Sequence, residues 1–358
     1  MSESFSFGNN FKVHVFGSSH GPHVGVEIEG CPAGVEVSVA QIQEQLDRRK
    51  PGQSALTSQR KEEDKVVVEG GIENGKSTGE KIRMLINNND TRPEHYAKFS
   101  ITPRPGHADY PALVKYGQLQ SGGGFFSGRM TAAFVMAGAV AKKLLGKKGV
   151  ETMAFMRSIG EVKLEGEPTD EEIVQNTYAN AVRCPDAKIA AQMEGEVKNA
   201  MKAQDSAGGV VECRIVGMPA GIGEPMFESI ESVVAQALFA IPAAKGVEFG
   251  AGFAAARMRG SAHNDEFEMR EGKVVTKTNN AGGILGGLST GMPIVFRVAF
   301  KPTSSIFREQ NTVDLGKMEN AKLKIEGRHD PCIAIRAVPV VENVAAFCIA
   351  DILIGEKG

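Results

Sequence analysis

The sequence predicts an α+β protein, one mixed domain over residues 1–358. Strand-like alternation and helix-like 3.6-residue patterning both recur along the chain, and no linker-like shift in composition divides it. Hydrophobic residues make up 42% and charged residues 23%, which is enough apolar material for a sizeable core under a water-soluble surface.

The opening alternates. "FKVHVF" (11–16) and "HVGVEIEG" (23–30) read as strands joined by the short loop "GSSHGP". A helix is expected at 38–49, with Ser38 as its N-cap and Val39, Ile42 and Leu46 along one side; Pro51 and Gly52 end it. Strands follow at 65–69 and 82–86. Residues 87–121 are polar, contain prolines and show little periodicity, so they read as a long loop of the functional kind. Tyr96, Phe99, Tyr110 and Tyr116 within it argue against disorder. An Ala-rich helix at 128–146, a strand at 152–157, a helix at 187–203 and a strand within 208–221 come next. A helix at 227–240, strands at 247–253 and 293–300, and a last helix at 341–354 complete the pattern.

A formal net charge of −2 argues against general nucleic-acid binding, which needs a distinctly basic face, and leaves small anions held by local clusters. The five cysteines, Cys31, Cys184, Cys213, Cys332 and Cys348, are widely spaced without a CxxC pair. Reduced, buried thiols and a cytosolic protein are the expectation. No charged-then-apolar leader opens the chain and no apolar run reaches membrane length, so no membrane is expected as a partner.

Several stretches combine glycine with residues that carry chemistry. "SGGGFFSGRM" (121–130) sets three glycines before a helix, where backbone N–H groups and the helix dipole favour an anion; a Gly-rich turn feeding a core helix explains it equally. "GSSHG" (17–21) places Ser19 and His20 in a loop without an apolar wall, and a hydrogen-bonded loop histidine is the plainer alternative. In "RPGHADYPALVKYG" (104–117), His107 stands between Arg104 and Asp109, as a proton-transfer imidazole would, or as a histidine in a satisfied turn. "EGRHDPC" (326–332) holds Arg328, His329 and Asp330 before a proline. "AGGILGGLSTG" (281–291) and "KPTSS" (301–305) offer bends, a lysine and hydroxyls suited to phosphate, and "LDRRKPGQS" (46–54) is basic at a helix C-terminus, where cap electrostatics alone would place cations. His14, His20 and His23 lack the further ligands of a zinc site, and neither a Walker P-loop nor G-x-S-x-G is present.

Together and in this order these stretches resemble the chorismate synthase family through nearly the whole chain. "FGSSHGPHVGVEIEGCPAG", "DRRKPGQS", "RPGHADYPALVKYG", "GGGFFSGRMT", "GMPAGIGEP", "KGVEFG", "RGSAHNDEF", "NNAGGILGG", "KPTSSI" and "GRHDPCIAIRAVPVVE" carry the likeness. The resemblance implies a homotetramer of helices sandwiched between antiparallel sheets. It implies a lyase that removes phosphate from 5-enolpyruvylshikimate 3-phosphate by 1,4-anti elimination to give chorismate, the last shared step of aromatic biosynthesis. Reduced FMN is the implied cofactor, with NADPH as a reductant in members that reduce their own flavin. By the same resemblance His20 protonates the leaving phosphate, His107 the reduced flavin, and Asp330 assists removal of the ring proton, with Ser19 and Ser127 as relay hydroxyls. Arg48, Arg49, Arg129 and Arg328 are the implied cations for the substrate. Phe125, Phe126, Ser127, Pro242, Ala243, Gly286, Lys301, Pro302, Thr303, Ser304, Ser305 and Arg328 are the implied flavin contacts.

The chain departs from the family pattern at defined places. Ser18 stands for Glu in "GESHG", Phe125, Phe126, Gly128 and Met130 for Arg, Ser, Ala and Glu in "GGGRSSARET", Ala55 for a basic residue, and Pro242 for Asn. Two expected positive charges are therefore missing near the ligand, which favours a second reading, a relative that binds flavin or a phosphoester without turnover. A small-molecule kinase is a third, resting only on the Gly-rich loop before an Ala-rich helix.

Overall fold

The computed structural model describes residues 3–58, 60, 62–89, 98–327 and 329–356. Two five-stranded sheets form its outer layers. The first runs in the order Ser6–Phe7, Lys12–Gly17, His23–Glu29, Ile82–Asn87, Val66–Gly70, and the second in the order Ala244–Phe249, Ile294–Phe300, Gly209–Val216, Glu151–Ile159, Val162–Lys163. All neighbouring pairs are antiparallel. Register follows the apolar pattern: Val26 pairs with Met84, and Val24, Val26, Ile28, Ile82 and Ile86 are fully buried.

The helices are α1 (Val39–Arg49), α2 (Asp109–Tyr116), α3 (Thr131–Gly146), α4 (Asp170–Asn176), α5 (Ala187–Lys202), α6 (Ile230–Phe239), α7 (Gly260–His263) and α8 (Ala334–Gly355). α3 packs on the first sheet, α8 on the second, and the two pack on each other, so a helical layer lies between the sheets. Small residues permit that approach. A Cβ on Gly138 would overlap the Asn343 side chain and backbone. Ser38 caps α1 as expected, its hydroxyl accepting from the Gln41 N–H while the Gln41 side chain returns to the Ser38 N–H.

Three readings of the sequence are corrected. The 87–121 stretch contains α2, because Pro111 falls in the first turn, where no backbone N–H is needed. The last helix starts at Ala334 rather than 341 and runs through Pro339, whose carbonyl accepts from the Asn343 side chain. That helix is also long and apolar enough to cross a membrane, although Arg336, Glu342, Asn343 and Asp351 interrupt the run in sequence; 89% of its apolar window is buried between the two sheets, as a core helix. All five cysteines are unpaired and buried, as expected.

Candidate active site

A cavity of about 670 Å³ opens where the His20 turn, the glycine loop, the Arg104–Ala108 segment and the Lys301–Ser305 turn meet the start of α8. Gly122, Gly123 and Gly124 all take positive φ, at 64°, 81° and 52°, a run only glycine adopts without strain. At Gly122 the absent side chain makes room for the protein's own imidazole. A Cβ on Gly122 would overlap the His20 ring, and one on Gly123 would lie 3.6 Å from His107 Cε1. Ser127 and a 3₁₀ turn, Gly128–Met130, lead from these glycines into α3.

His20 is held by Ser19, whose Oγ lies 3.1 Å from His20 Nδ1 and donates to the Gly122 carbonyl at 3.0 Å. That hydroxyl can then only accept from Nδ1. His107 Nδ1 lies 2.6 Å from Asp109 Oδ1, and Asp109 also takes a two-pronged bond from Arg104, Nε to Oδ2 at 2.7 Å and Nη2 to Oδ1 at 2.8 Å. Burial would raise the Asp109 carboxyl, but the bonds from Arg104 and His107 outweigh it and hold it well below the usual range. Asp330 accepts from the Ser58 N–H at 2.7 Å and from Arg336 Nη1 at 2.8 Å.

Arg49, on the last turn of α1, and Arg129, ahead of α3, both reach Asp64. Arg49 Nη1 meets Oδ2 at 3.1 Å and Arg129 Nη1 bonds Oδ1. Both arginines line the cavity, yet each is at most 5% exposed and already serves internal partners: Thr131 and the Gly128 carbonyl for Arg49, Asn88 and the Asn87 carbonyl for Arg129. Burial, then repulsion from Arg336, lowers the Arg49 guanidinium to about 9 against the pull of Asp64. Across the cavity Lys301 Nζ donates to Ser304 Oγ at 2.7 Å and to the Gly106 carbonyl at 3.0 Å. Burial and the neighbouring Lys245 lower its pKa. Among the described residues Thr303 Oγ1 is buried without a partner.

Of the residues expected at the site, His20, His107, Asp330, Arg49, Arg129, Phe125, Phe126, Ser127, Ala243, Pro242, Lys301, Thr303, Ser304 and Ser305 line this cavity. Ser19 stands behind it, fully buried. Arg48, Gly286 and Pro302 are not brought to its wall. Arg48 turns outward to Glu44 at 2.7 Å and lies over the Tyr178 ring, since one residue of helix rotates it 100° from Arg49. Gly286 occupies the turn between Ile284–Leu285 and Leu288–Ser289. Pro302 packs beside Gly208. Arg328 lies outside the described residues, as does Tyr96. Sequence reasoning missed Asp64, Asn88, Lys245 and Arg336; Arg336 stood inside the quoted "GRHDPCIAIR", while Asp64 was hidden in the charged run "KEEDK".

Imidazoles and a carboxylate around one cation-walled cavity, inside helices layered between antiparallel sheets, make a site of the kind that can move protons on an anionic small molecule. The chorismate synthase family profile matches residues 11–354. Chorismate synthase of Korarchaeum cryptofilum is 49% identical over 347 residues, covering 96% of each chain. That of Methanocella arvoryzae is 50% identical over 350 residues, 98% of this chain and 94% of its own. A crystal structure of chorismate synthase superposes with a TM-score of 0.74 at 28% identity, covering 97% of this chain and 92% of the other. The chain belongs to the chorismate synthase family. It is a lyase of aromatic amino acid biosynthesis that converts 5-enolpyruvylshikimate 3-phosphate to chorismate and phosphate.

Proposed function

We propose that the cavity described above is where this elimination takes place, with reduced FMN beside the substrate and His20, His107 and Asp330 as the proton-handling groups. The observation that carries the reading is the glycine loop, which seats both imidazoles against one turn on the wall of a single cavity. The residues present fit a flavin nucleotide. Phe125, Phe126, Pro242, Ala243 and Ile333 supply apolar lining, while Lys301, Lys245, Ser304 and Ser305 give cations and hydroxyls for a phosphate. Reduced flavin, when bound, supplies electron density to the substrate ring as phosphate departs.

The chain's own groups divide the remaining work. With Nδ1 given to Ser19, His20 delivers its proton to the leaving phosphate from Nε2. Asp109 fixes His107 with its proton on Nδ1, so Nε2 is the nitrogen of His107 that exchanges a proton within the cavity. Asp330, held by Arg336 and the Ser58 N–H, assists removal of the ring proton as a fixed carboxylate. Arg49 and Arg129 hold the substrate's anionic groups, and Ser127, whose Oγ accepts from the Arg129 N–H, orders the loop between them.

We further infer a cytoplasmic protein, from its five reduced thiols, acting over residues 1–358 as one unit. A homotetramer accords with the exposure of Phe227 and Phe253, at 90% and 81%. NADPH as reductant of the flavin follows from the family alone. The missing cations at positions 55 and 125 are matched by missing acids, Ser18 and Met130 replacing glutamates of the family pattern, so the expected charge balance is kept and turnover is favoured over binding without turnover. The test is anaerobic phosphate release with reduced FMN and 5-enolpyruvylshikimate 3-phosphate. Turnover that His20→Ala and His107→Ala each lower by about 10²-fold or more is expected; no phosphate at saturating ligands rejects the reading.

A further inference from the structure

Asn88 lies one residue past the Ile82–Asn87 strand, behind the cavity wall, and its side chain joins two parts of the site that are distant in sequence. Its Nδ2 donates to the Ser18 carbonyl at 3.0 Å and to the Gly21 carbonyl at 2.7 Å, the two carbonyls that bracket Ser19 and His20. Its Oδ1 accepts from Arg129 Nε at 2.9 Å. The orientation of the amide is fixed by these partners, because the flipped form would set an oxygen against two carbonyls and an N–H against an N–H. Its backbone N–H donates to the Pro22 carbonyl at 3.0 Å, which anchors the same turn from below.

We propose that Asn88 is a positioning residue that locks the His20 turn to the Arg129 guanidinium, so that the group binding the anion and the group protonating the leaving phosphate are set in one frame. The proposal rests on the roles given to His20 and Arg129 above. A primary amide is the side chain this junction needs. Two carbonyls require two N–H donors from one atom, and the guanidinium requires an acceptor on the same carbon; serine, aspartate or histidine supplies only part of that set. Asn88 acts through His20 and touches no reacting atom.

Asn88→Asp tests it, because the carboxylate keeps the Arg129 contact and the size of the side chain but turns an oxygen on the Ser18 and Gly21 carbonyls. Steady-state kinetics under anaerobic conditions should show kcat down about 10-fold or more with KM for the substrate within about threefold. The double variant His20→Ala with Asn88→Asp should be no slower than His20→Ala alone, since a residue that works by aiming His20 has nothing left to aim. A purely structural role would lower both backgrounds by the same factor, and that multiplicative result overturns the proposal, as does unchanged kcat in Asn88→Asp. If His20→Ala itself retains full turnover, the parent assignment fails first and is recognised as such. Should Asn88→Asp not fold, Asn88→Gln, which keeps both donor and acceptor one methylene further out, is read in the same cycle with the same two outcomes.

Discussion

Gly122 occupies the space that would otherwise separate the glycine loop from His20: a side chain there would overlap Nδ1 and Cε1 of the ring. Gly122→Ala must therefore either push the imidazole off Ser19 or unwind a loop already at φ 64°. A left-handed alanine costs about 1–2 kcal/mol, which a protein of this size survives. Turnover should fall about 10²-fold, as displacement of a positioned group does, with the unfolding midpoint only slightly lowered. Wild-type phosphate release from a folded Gly122→Ala protein would show that the ring position is not what matters.

Asp64 is the counter-charge that allows Arg49, Arg129 and Arg336 to share one wall. Its side chain is fully buried, and burial, which would raise its pKa, is outweighed by Arg49 and Arg129, so it is held low. Asp64 has φ of 50°, a conformation asparagine also tolerates, so Asp64→Asn removes the charge with little change in backbone or shape. Denaturant unfolding should show a loss of about 3–5 kcal/mol, the usual result of leaving buried cations uncompensated. KM for the substrate should rise more than kcat falls, and equal stability of variant and parent would refute this account.

The elements legible from sequence were those with simple periodicity. The Lys12–Gly17 and His23–Glu29 strands and α1 lie where alternation and the Ser38 cap put them. α2 was not legible, because Pro111 reads as a breaker until its place in the first turn is known, and Tyr110, Val114 and Tyr116 are exposed rather than packed along one buried face. The start of α8 was hidden for a related reason, Pro339 standing between its two halves. At the site, glycine, histidine and arginine announced themselves by type. The residues that arrange them did not: Asp64 and Asn88 gain meaning only from partners 15 to 70 positions away.

Adjacent arginines on α1 should behave oppositely. Arg48 points to Glu44 and the Tyr178 ring, with 30% of its side chain exposed, whereas Arg49 turns inward toward Arg129 and Asp64. Arg48→Ala is expected to leave kcat/KM within about threefold, as loss of an exposed pair does. Arg129→Lys, which keeps the charge but loses the planar fork, should raise KM about 10-fold or more. Measuring both under one anaerobic assay decides between them, and a larger effect at Arg48 would place the substrate elsewhere.

His329 sets a pH dependence of stability. Burial, then the nearby Arg104, lowers its pKa to about 4, against Asp330, which pulls it upward. In the unfolded chain the same imidazole titrates near 6.5. Between these values the unfolded state binds a proton that the folded state does not, so stability falls as pH drops from about 6.5 to about 4 and changes no further below that. Its contribution is fully present above 6.5. The largest loss this single group can produce is about 3 kcal/mol. Urea unfolding at intervals from pH 7.5 to 4 should therefore show a steeper decline for the parent than for His329→Gln, the two curves separating within that window. Parallel curves across it would mean that His329 titrates normally in the folded protein and that burial beside Arg104 does not keep it neutral.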